Sequence, residues 1–385
     1  MTQSYIKLTQ AMKDIIKTDS LIIGAGVIGL AIARHLALLG KDVIVLEQEP
    51  YCGSITSARN SGVIHAGIYY KPQSLKALLC VRGKHMLYDY ARAHSIPFRN
   101  CGKIIVATNE EEITKLDSIH DNAQHSHVED LAWLDRNDIK KYEPALHGVA
   151  GLYSPSTGII DVHCYIAQLQ RDIEAHNGIV ATRNTARKIS IDAPSRFITE
   201  TDDARIQSSI LVNAAGLGAA QLASRMDGLD RAHIPKTRFA KGHYVTISGA
   251  PPFSRLVYPV PVDGGLGAHY TMNMAGESLF GPDVEWLAEG SDPQSFDYDI
   301  HPERIESFYA SIARYWPGVG KKTLRPAYAG IRPKLSEPGE SPADFMIQTH
   351  TQHGINGLVN LYGIESPGIT ASLALAEHFT TLTEP

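Results

Sequence analysis

Residues 18–50, "TDSLIIGAGVIGLAIARHLALLGKDVIVLEQEP", constrain the fold more than any other part of the chain. The pattern predicts a buried strand at 21–23, a glycine turn, a helix at 27–39 and a second strand at 43–46. Gly40 lies where the helix must end, and Glu47 follows the second strand. The glycines alone would be a weak signal, but their place between a strand and a helix favours a dinucleotide-binding, Rossmann-like unit.

The chemistry of such a unit explains each residue type. Gly24 permits the sharp turn, Gly26 lets the backbone approach a pyrophosphate, and Gly29 lets the helix pack closely on the strand. The start of the helix offers unpaired N–H groups and a partial positive charge to the phosphates. Glu47 can accept hydrogen bonds from a ribose diol. The cofactor contacts predicted here are Gly24, Gly26, Val27, Ile28, Gly29, Glu47 and Gln48.

The remainder of the chain favours FAD over NAD. After Glu47 comes a polar loop, residues 51–67, where an extended FAD would reach towards its reactive ring. A later strand, 210–213, runs into a tight turn, and the chain ends with the turn "GIESPGIT" and a helix from about Ile369. A helix start aimed at a reduced flavin stabilises its negative charge. The further predicted contacts are Arg59, Asn60, Ser61, Gly62, His65, Ala186, Ala214, Ala215, Gly216, Arg332, Gly363, Glu365, Ser366, Pro367, Gly368, Ile369 and Thr370.

Composition excludes several classes of function. The 385 residues carry 36 basic and 41 acidic side chains, a net charge of −5, which gives nucleic acid no basic surface. The four cysteines form no CxxC pair, so we expect neither a disulfide framework nor a metal site, and a reducing, cytoplasmic location. The longest apolar run, 21–33, is too short to span a bilayer, although peripheral membrane contact stays open. There is no GxSxG and no recognisable cysteine–histidine pair for nucleophilic catalysis.

Several motifs together resemble a known family. "GAGVIG" with Glu47, "RNSGVIHAGIYY", "NAAG" and "GIESPGIT" are similar to the D-amino-acid-oxidase-like FAD oxidoreductases. Within that group the chain most closely resembles the L-2-hydroxyglutarate dehydrogenases and oxidases, over residues 19–382. The resemblance implies oxidation of an L-2-hydroxy acid by hydride transfer to flavin N5, with L-2-hydroxyglutarate, which would give 2-oxoglutarate, as the expected substrate. Oxygen, a quinone or another protein would accept the electrons. Two residues depart from the family pattern: Asp283, where Asn is common, and His243.

The resemblance also implies a discontinuous organisation. We expect an α/β FAD-binding domain of Rossmann type formed by 17–84, 150–222 and 336–383. The intervening segments, 85–149 and 223–335, would form an α+β substrate domain. Short β-branched and aromatic runs such as "KGHYVTISG" and "RLVYPVP" predict an antiparallel sheet in that domain.

Oxidation of a 2-hydroxy acid needs a base for the hydroxyl proton and cations for the carboxylate. His65 lies between small residues after the cofactor loop, and His269 lies in "GLGAHYT"; we favour His269 as the base, with His65 contacting flavin or substrate. Arg332 is the expected carboxylate clamp. Lys241 and Tyr258 are candidates for holding a second carboxylate.

Three alternatives stay open at this point. An amino-acid or amine oxidase of the same fold would keep the carboxylate clamp but depend less on a base. A non-catalytic flavin-binding protein would bind FAD that no substrate reduces. An NAD-dependent dehydrogenase would be colourless.

Overall fold

The computed structural model describes residues 15–193, 196–261 and 267–383. Its strands are β1 (Ile15–Ile23), β2 (Val43–Leu46), β3 (Val63–Ile64), β4 (Phe98–Arg99), β5 (Lys103–Ala107), β6 (Ala132–Asp135), β7 (Ala150–Ser154), β8 (Gly158–Ile160), β9 (Ile179–Ala181), β10 (Lys188–Ala193), β11 (Arg196–Glu200), β12 (Arg205–Asn213), β13 (Met226–Asp227), β14 (Arg238–Ile247), β15 (Leu256–Pro259), β16 (Tyr270–Met272), β17 (Ser278–Phe280), β18 (Glu285–Trp286), β19 (Leu324–Lys334), β20 (Met346–Gln348) and β21 (Leu358–Tyr362). Its α-helices are α1 (Val27–Leu38), α2 (Leu75–Ala93), α3 (Ile113–His125), α4 (Arg136–Tyr142), α5 (Val162–Ala175), α6 (Ala219–Ala223), α7 (Glu303–Ala313), α8 (His350–His353) and α9 (Gly368–Thr383).

The first sheet has a parallel centre. Strand β1 pairs in parallel with β2 on one side and with β12 on the other, β9 extends the sheet beyond β2, and β21 pairs in parallel with the end of β12. The strands β10, β11, β13 and β20 complete this sheet at its margins. Because the carboxyl ends of parallel strands meet at one edge, the turns after β1, β2, β12 and β21 come together there.

The middle of helix α1 is apolar and buried. Leu30, Ala31, Ile32 and Ala33 are all without exposed surface, so this part of the helix is covered by the sheet on one side and by α5 and α9 on others. Helices α2 and α9 pack on each other beside it, which places the start of α9 over the same edge of the sheet.

The second sheet is mainly antiparallel. Its order is β18-β14-β17-β16-β15-β5-β7-β6, with β19 beside β14 and one parallel pair, β5 with β15. The long pair of β14 and β19 runs from Arg238 opposite Lys334 to Ile247 opposite Leu324. Helix α7 covers this sheet with its buried Phe308 and Ile312. The predicted fold class is confirmed: a Rossmann-like α/β sheet joined to a mainly antiparallel second sheet.

Two of the predicted domain boundaries disagree with how the elements pack. The boundary at 84/85 falls inside α2, which packs on α9, and residues 150–154 form β7, which pairs with β5 of the second sheet. We therefore propose the same discontinuous division with one boundary after α2 and another after β7. Among the described residues, no helix combines the length and apolar character needed to cross a membrane.

Candidate functional site

A single long cleft of about 1230 Å³ runs from the carboxyl edge of the first sheet to the face of the second. Its volume exceeds the roughly 300–1,000 Å³ of a site for one small molecule. The predicted residues that line it are Gly24, Gly26, Val27, Ile28, Glu47, Gln48, Arg59, Asn60, Ser61, Gly62, His65, Ala186, Ala214, Ala215, Gly216, Tyr258, His269, Arg332, Glu365, Ser366, Pro367, Gly368, Ile369 and Thr370. Three predicted residues, Gly29, Gly363 and Lys241, are not among the residues that line it.

The glycine turn brings two strand ends into contact. Gly24 has a φ of +107°, and a Cβ there would lie 2.5 Å from the carbonyl oxygen of Ala214. A Cβ on Gly29 would collide with the carbonyl of Gly24, so Gly29 serves the packing of α1 on β1. Ser57, which no sequence motif marks, accepts a hydrogen bond from the Val27 N–H at 3.0 Å and so holds the polar loop on the start of α1.

Glu47 closes the same end of the cleft. Its carboxylate accepts hydrogen bonds from the N–H groups of Ala25, at 2.8 Å, and Glu49, at 2.9 Å. Burial raises the pKa of this carboxyl, although the backbone N–H groups oppose the shift. Each carboxylate oxygen has more than one lone pair, so Glu47 can still accept hydroxyl groups from a ribose in the cleft. The turn, the helix start and this carboxylate fit the adenosine and pyrophosphate of FAD.

The loop after Ser57 is held by its own side chains. Asn60 donates to the carbonyls of Thr56 and Ser57 and accepts from the Gly62 N–H. The guanidinium of Arg59 lies over the ring of Tyr298, 4.2 Å from its centroid. The two side chains therefore set the path of the loop along the cleft, which Arg59, Asn60, Ser61 and Gly62 line.

The start of α9 joins the cleft from the other side. Thr370 accepts a hydrogen bond from the His65 N–H at 3.0 Å and donates to the carbonyl of Val63 at 3.3 Å. Gly363 lies behind the cleft with a φ of +66°, and a Cβ there would lie 2.7 Å from the side chain of Leu335. Gly368, Ile369 and Thr370, the first residues of α9, line the cleft, so the positive end of the helix dipole lies where it would stabilise the negative charge of a reduced flavin.

A buried ionic cluster lies beside this helix start. Glu365 pairs with Lys334 at 2.7 Å and with Lys76 at 3.3 Å. Burial opposes ionisation of Glu365, but the two lysines and Arg332 hold its pKa below its usual value. Burial lowers the pKa of Lys334. No motif marks Lys76 in the sequence, and only the packing of α2 brings it to the cleft.

The far end of the cleft holds both predicted histidines. The rings of His269 and Tyr258 stack with centroids 3.7 Å apart. His65 Nε2 lies 3.2 Å from Ser366 Oγ. Burial, with a smaller contribution from Lys103, lowers the pKa of His65 to about 3, so this imidazole is neutral at physiological pH.

Arg332 reaches the cleft from β19. Its Nη2 donates to the carbonyl of Asp283 at 3.4 Å and lies against Gly242, where a Cβ would lie 3.3 Å from that nitrogen. The carboxylate of Asp283 accepts from His243 Nδ1 at 2.7 Å, so the two residues that depart from the family pattern contact each other behind Arg332.

The prediction for Lys241 is wrong. Side chains alternate between the two faces of a strand, and Gly242 and Tyr244 are the residues of β14 that line the cleft. Lys241 lies on the opposite face, where its ammonium donates to the carbonyl of Asp299 at 2.7 Å and lies 3.7 Å from the carboxylate of Asp297. It therefore cannot hold a carboxylate in the cleft.

A different cation, Lys103, lies near the histidines of the cleft. The sequence did not predict it as a site residue. Its side chain is buried, and its ammonium is 4.8 Å from the ring centroids of both Tyr69 and Tyr258. Nothing in "CGKIIVA" distinguishes this lysine from a surface residue at the start of a strand. In the described part of the chain, no group of His, Cys, Asp and Glu side chains is arranged to hold a metal.

Comparisons with known proteins agree with this geometry. The model of the family described as FAD dependent oxidoreductase (DAO) matches residues 19–382. A mitochondrial L-2-hydroxyglutarate dehydrogenase from Arabidopsis thaliana is 44% identical, over 94% of this chain and 82% of its own length. The enzyme of the same name from Homo sapiens is 29% identical, over 93% of this chain and 87% of its own.

Solved structures show the same fold. L-alpha-glycerophosphate oxidase from Mycoplasma pneumoniae with FAD bound aligns with a TM-score of 0.84 and 25% identity, covering 96% of this chain and 95% of that one. Glycine oxidase from Geobacillus kaustophilus aligns with a TM-score of 0.79 and 21% identity, with the same coverage.

Proposed function

Because this chain belongs to the family of FAD-dependent oxidoreductases, we propose that it oxidises L-2-hydroxyglutarate to 2-oxoglutarate. The observation that carries the proposal is that Arg332, His65 and His269 line the same cleft as the glycine turn and Glu47, which fit FAD. An arginine and a histidine are the groups that a 2-hydroxy acid needs, one for its carboxylate and one for its hydroxyl proton.

We propose these roles for the residues of the chain. Arg332 binds the C1 carboxylate through the two parallel N–H groups of its guanidinium. His269 takes the hydroxyl proton, and its stacking on Tyr258 holds the plane of the imidazole. His65, held by Ser366 and Thr370, contacts the flavin or the substrate. The chemistry that bound FAD would supply is acceptance of a hydride from C2 of the substrate, which would leave a carbonyl once His269 has taken the hydroxyl proton.

The acceptor of the electrons and the place of the protein in the cell belong to the same proposal. We propose oxygen, a quinone or another protein as the acceptor, and the cytoplasm, with contact at a membrane surface, as the location.

Anaerobic reduction of the bound flavin tests the proposed function. The purified yellow protein is mixed without oxygen with L-2-hydroxyglutarate, with its D enantiomer, and with a set of amino acids. We expect rapid bleaching by the L enantiomer only. Bleaching by amino acids alone would support an amino-acid oxidase instead, and bound FAD that nothing reduces would support a non-catalytic flavoprotein.

A further inference from the structure

Lys103 is a buried cation without a counter-ion in the described part of the chain. Its side chain is 1% exposed. Its ammonium forms neither an ion pair nor a hydrogen bond with any residue that the structure describes, and its close neighbours are the faces of two aromatic rings. Buried charges in proteins are otherwise paired or hydrogen-bonded, because an unpaired charge loses its hydration.

Packing alone does not account for this lysine. The residues that follow it in β5, Ile104 to Ala107, are all buried and apolar, so a methionine would suit the position at least as well. Burial lowers the pKa of Lys103 to about 7, which shows how strongly the site opposes the charge. A feature this costly to stability is expected where it serves function.

The two tyrosines that flank the ammonium face the cleft. Tyr69 and Tyr258 both line it, and neither phenol hydroxyl is hydrogen-bonded to a described residue. Burial raises the pKa of both phenols, so both stay protonated and can donate a hydrogen bond. Tyr258 is 5% exposed overall and lines the cleft, so a group bound in the cleft can accept a hydrogen bond from its hydroxyl.

We propose that Lys103, Tyr69 and Tyr258 form the subsite for the second carboxylate of the substrate. The phenols donate hydrogen bonds to that carboxylate, and the ammonium behind them supplies the compensating charge through their rings. Lys103 is thus a positioning residue that acts through the tyrosines. The inference rests on the proposed function, because it assigns the second charged group of a dicarboxylate, and it supplies the cation that Lys241 does not.

Ligand binding to the holoenzyme tests the subsite without turnover. Glutarate and pentanoate have the same carbon chain and differ in one carboxylate. Calorimetric titration should show that the wild-type protein prefers glutarate by about tenfold or more, the worth of one charge-assisted contact. Lys103→Met should abolish that preference and leave the affinity for pentanoate within about twofold. The matched control is Lys84→Met, a buried lysine that bonds Ser156 at 2.9 Å and does not line the cleft.

Steady-state kinetics give a second readout. With Lys103→Met, the KM for L-2-hydroxyglutarate should rise about tenfold while kcat stays within about threefold of the wild-type value. The KM for L-2-hydroxypentanoate, which lacks the second carboxylate, should not change. Three results would each overturn the subsite. The first is an equal rise in KM for both substrates in Lys103→Met, the second is an equal rise in KM in Lys84→Met, and the third is a wild-type protein that does not prefer glutarate to pentanoate. Should Lys103→Met fail to fold, Tyr258→Phe takes its place. We expect Tyr258→Phe to lower the affinity for glutarate by a smaller factor, and an unchanged glutarate affinity in this variant would refute the proposal.

The two proposals can fail separately. A wild-type flavin that L-2-hydroxyglutarate does not reduce would reject the proposed function, whereas the titration with glutarate would still decide whether the subsite exists.

Discussion

At the scale of single residues, the two histidines of the cleft have different surroundings. His65 is half-buried beside Ser366, and burial lowers its pKa to about 3, so its nitrogen is a poor acceptor for a hydroxyl proton. His269 is 5% exposed and stacks on Tyr258 next to the strands of the second sheet. The low pKa of His65 favours the proposal that His269 is the base and that His65 frames the site.

Replacement of each histidine by asparagine separates the two roles. We expect His269→Asn to slow anaerobic flavin reduction by about 10²–10⁴-fold, the usual contribution of a general base. His65→Asn should change the rate less and should keep the dependence of the rate on pH between 5 and 9, because His65 is neutral throughout that range. Rapid-mixing spectroscopy over this pH range measures both. If His65→Asn slowed flavin reduction more than His269→Asn, and also removed the fall of the rate at acidic pH, the two roles would be reversed.

Arg332→Lys tests the geometry of the carboxylate clamp. Lysine keeps the charge but loses the planar pair of N–H groups and the contact with the carbonyl of Asp283. We expect the KM for L-2-hydroxyglutarate to rise about 10–100-fold, as for loss of a hydrogen bond to a charged group. Arg325→Lys, an exposed position on the same strand, should leave KM unchanged. An unchanged KM in Arg332→Lys would place the clamp elsewhere.

Residue types were easier to predict than the direction in which each side chain points. The glycine motif and Glu47 could be located because phosphate and ribose binding require fixed types at fixed spacing. "KGHYV" alternates so weakly that the buried face of β14 cannot be read from it, and Lys241 was placed on the wrong face. Lys103 was missed because burial of a lysine depends on partners distant in sequence.

At the scale of elements, the parallel strands of the first sheet bring the turns that line the cleft together at one edge. The prediction for β2, residues 43–46, coincides with the structure, whereas β1 begins at Ile15 rather than at 21. The additional residues of β1 include the exposed Ile15 and Ile16 and the buried Thr18 and Ser20. They are in the strand because they pair with β12, from Ile15 opposite Arg205 to Ser20 opposite Ile210. Such pairing joins segments far apart in sequence and leaves no local pattern.

The contact of α2 with α9 also joins segments far apart in sequence, so the sequence alone does not predict it. It can be tested by mutation. Gly83 lies in α2 against the backbone of α9, where a Cβ would lie 2.9 Å from Cα of Ala371. Gly83→Ala must push the two helices apart, at a cost of about 1–3 kcal/mol in the free energy of unfolding. Because the start of α9 faces the cleft, FAD affinity should fall as well. Urea unfolding and FAD titration measure the two effects.

Gly320→Ala is the control for that substitution. A Cβ added at Gly320 would meet no atom within 4 Å, and the residue has no positive φ, so stability and FAD affinity should both stay unchanged. A stable Gly83→Ala protein with normal FAD affinity would show that the helices can separate without moving the cofactor site.

At the scale of the whole molecule, the cleft depends on both sheets at once. The end that fits FAD is formed by turns of the first sheet, and Tyr258, His269 and Arg332 reach the other end from the second sheet or from the segments next to its strands. The sequence predicted this division through motifs and family resemblance. It could not predict which side chains of the two sheets meet, because that depends on how the sheets pack together.

The buried charge of Lys103 should cost the whole molecule stability. Its pKa is about 7 in the folded state and 10.5 when exposed, so between these values the unfolded chain binds more protons, and the free energy of unfolding rises with pH. Lys103→Met should therefore be more stable than the wild type by about 1–4 kcal/mol below pH 7. The gain should shrink as the pH rises from 7 towards 10.5. Urea unfolding of both holoproteins across this range measures the difference, and a gain independent of pH would mean that folding does not lower the pKa of Lys103.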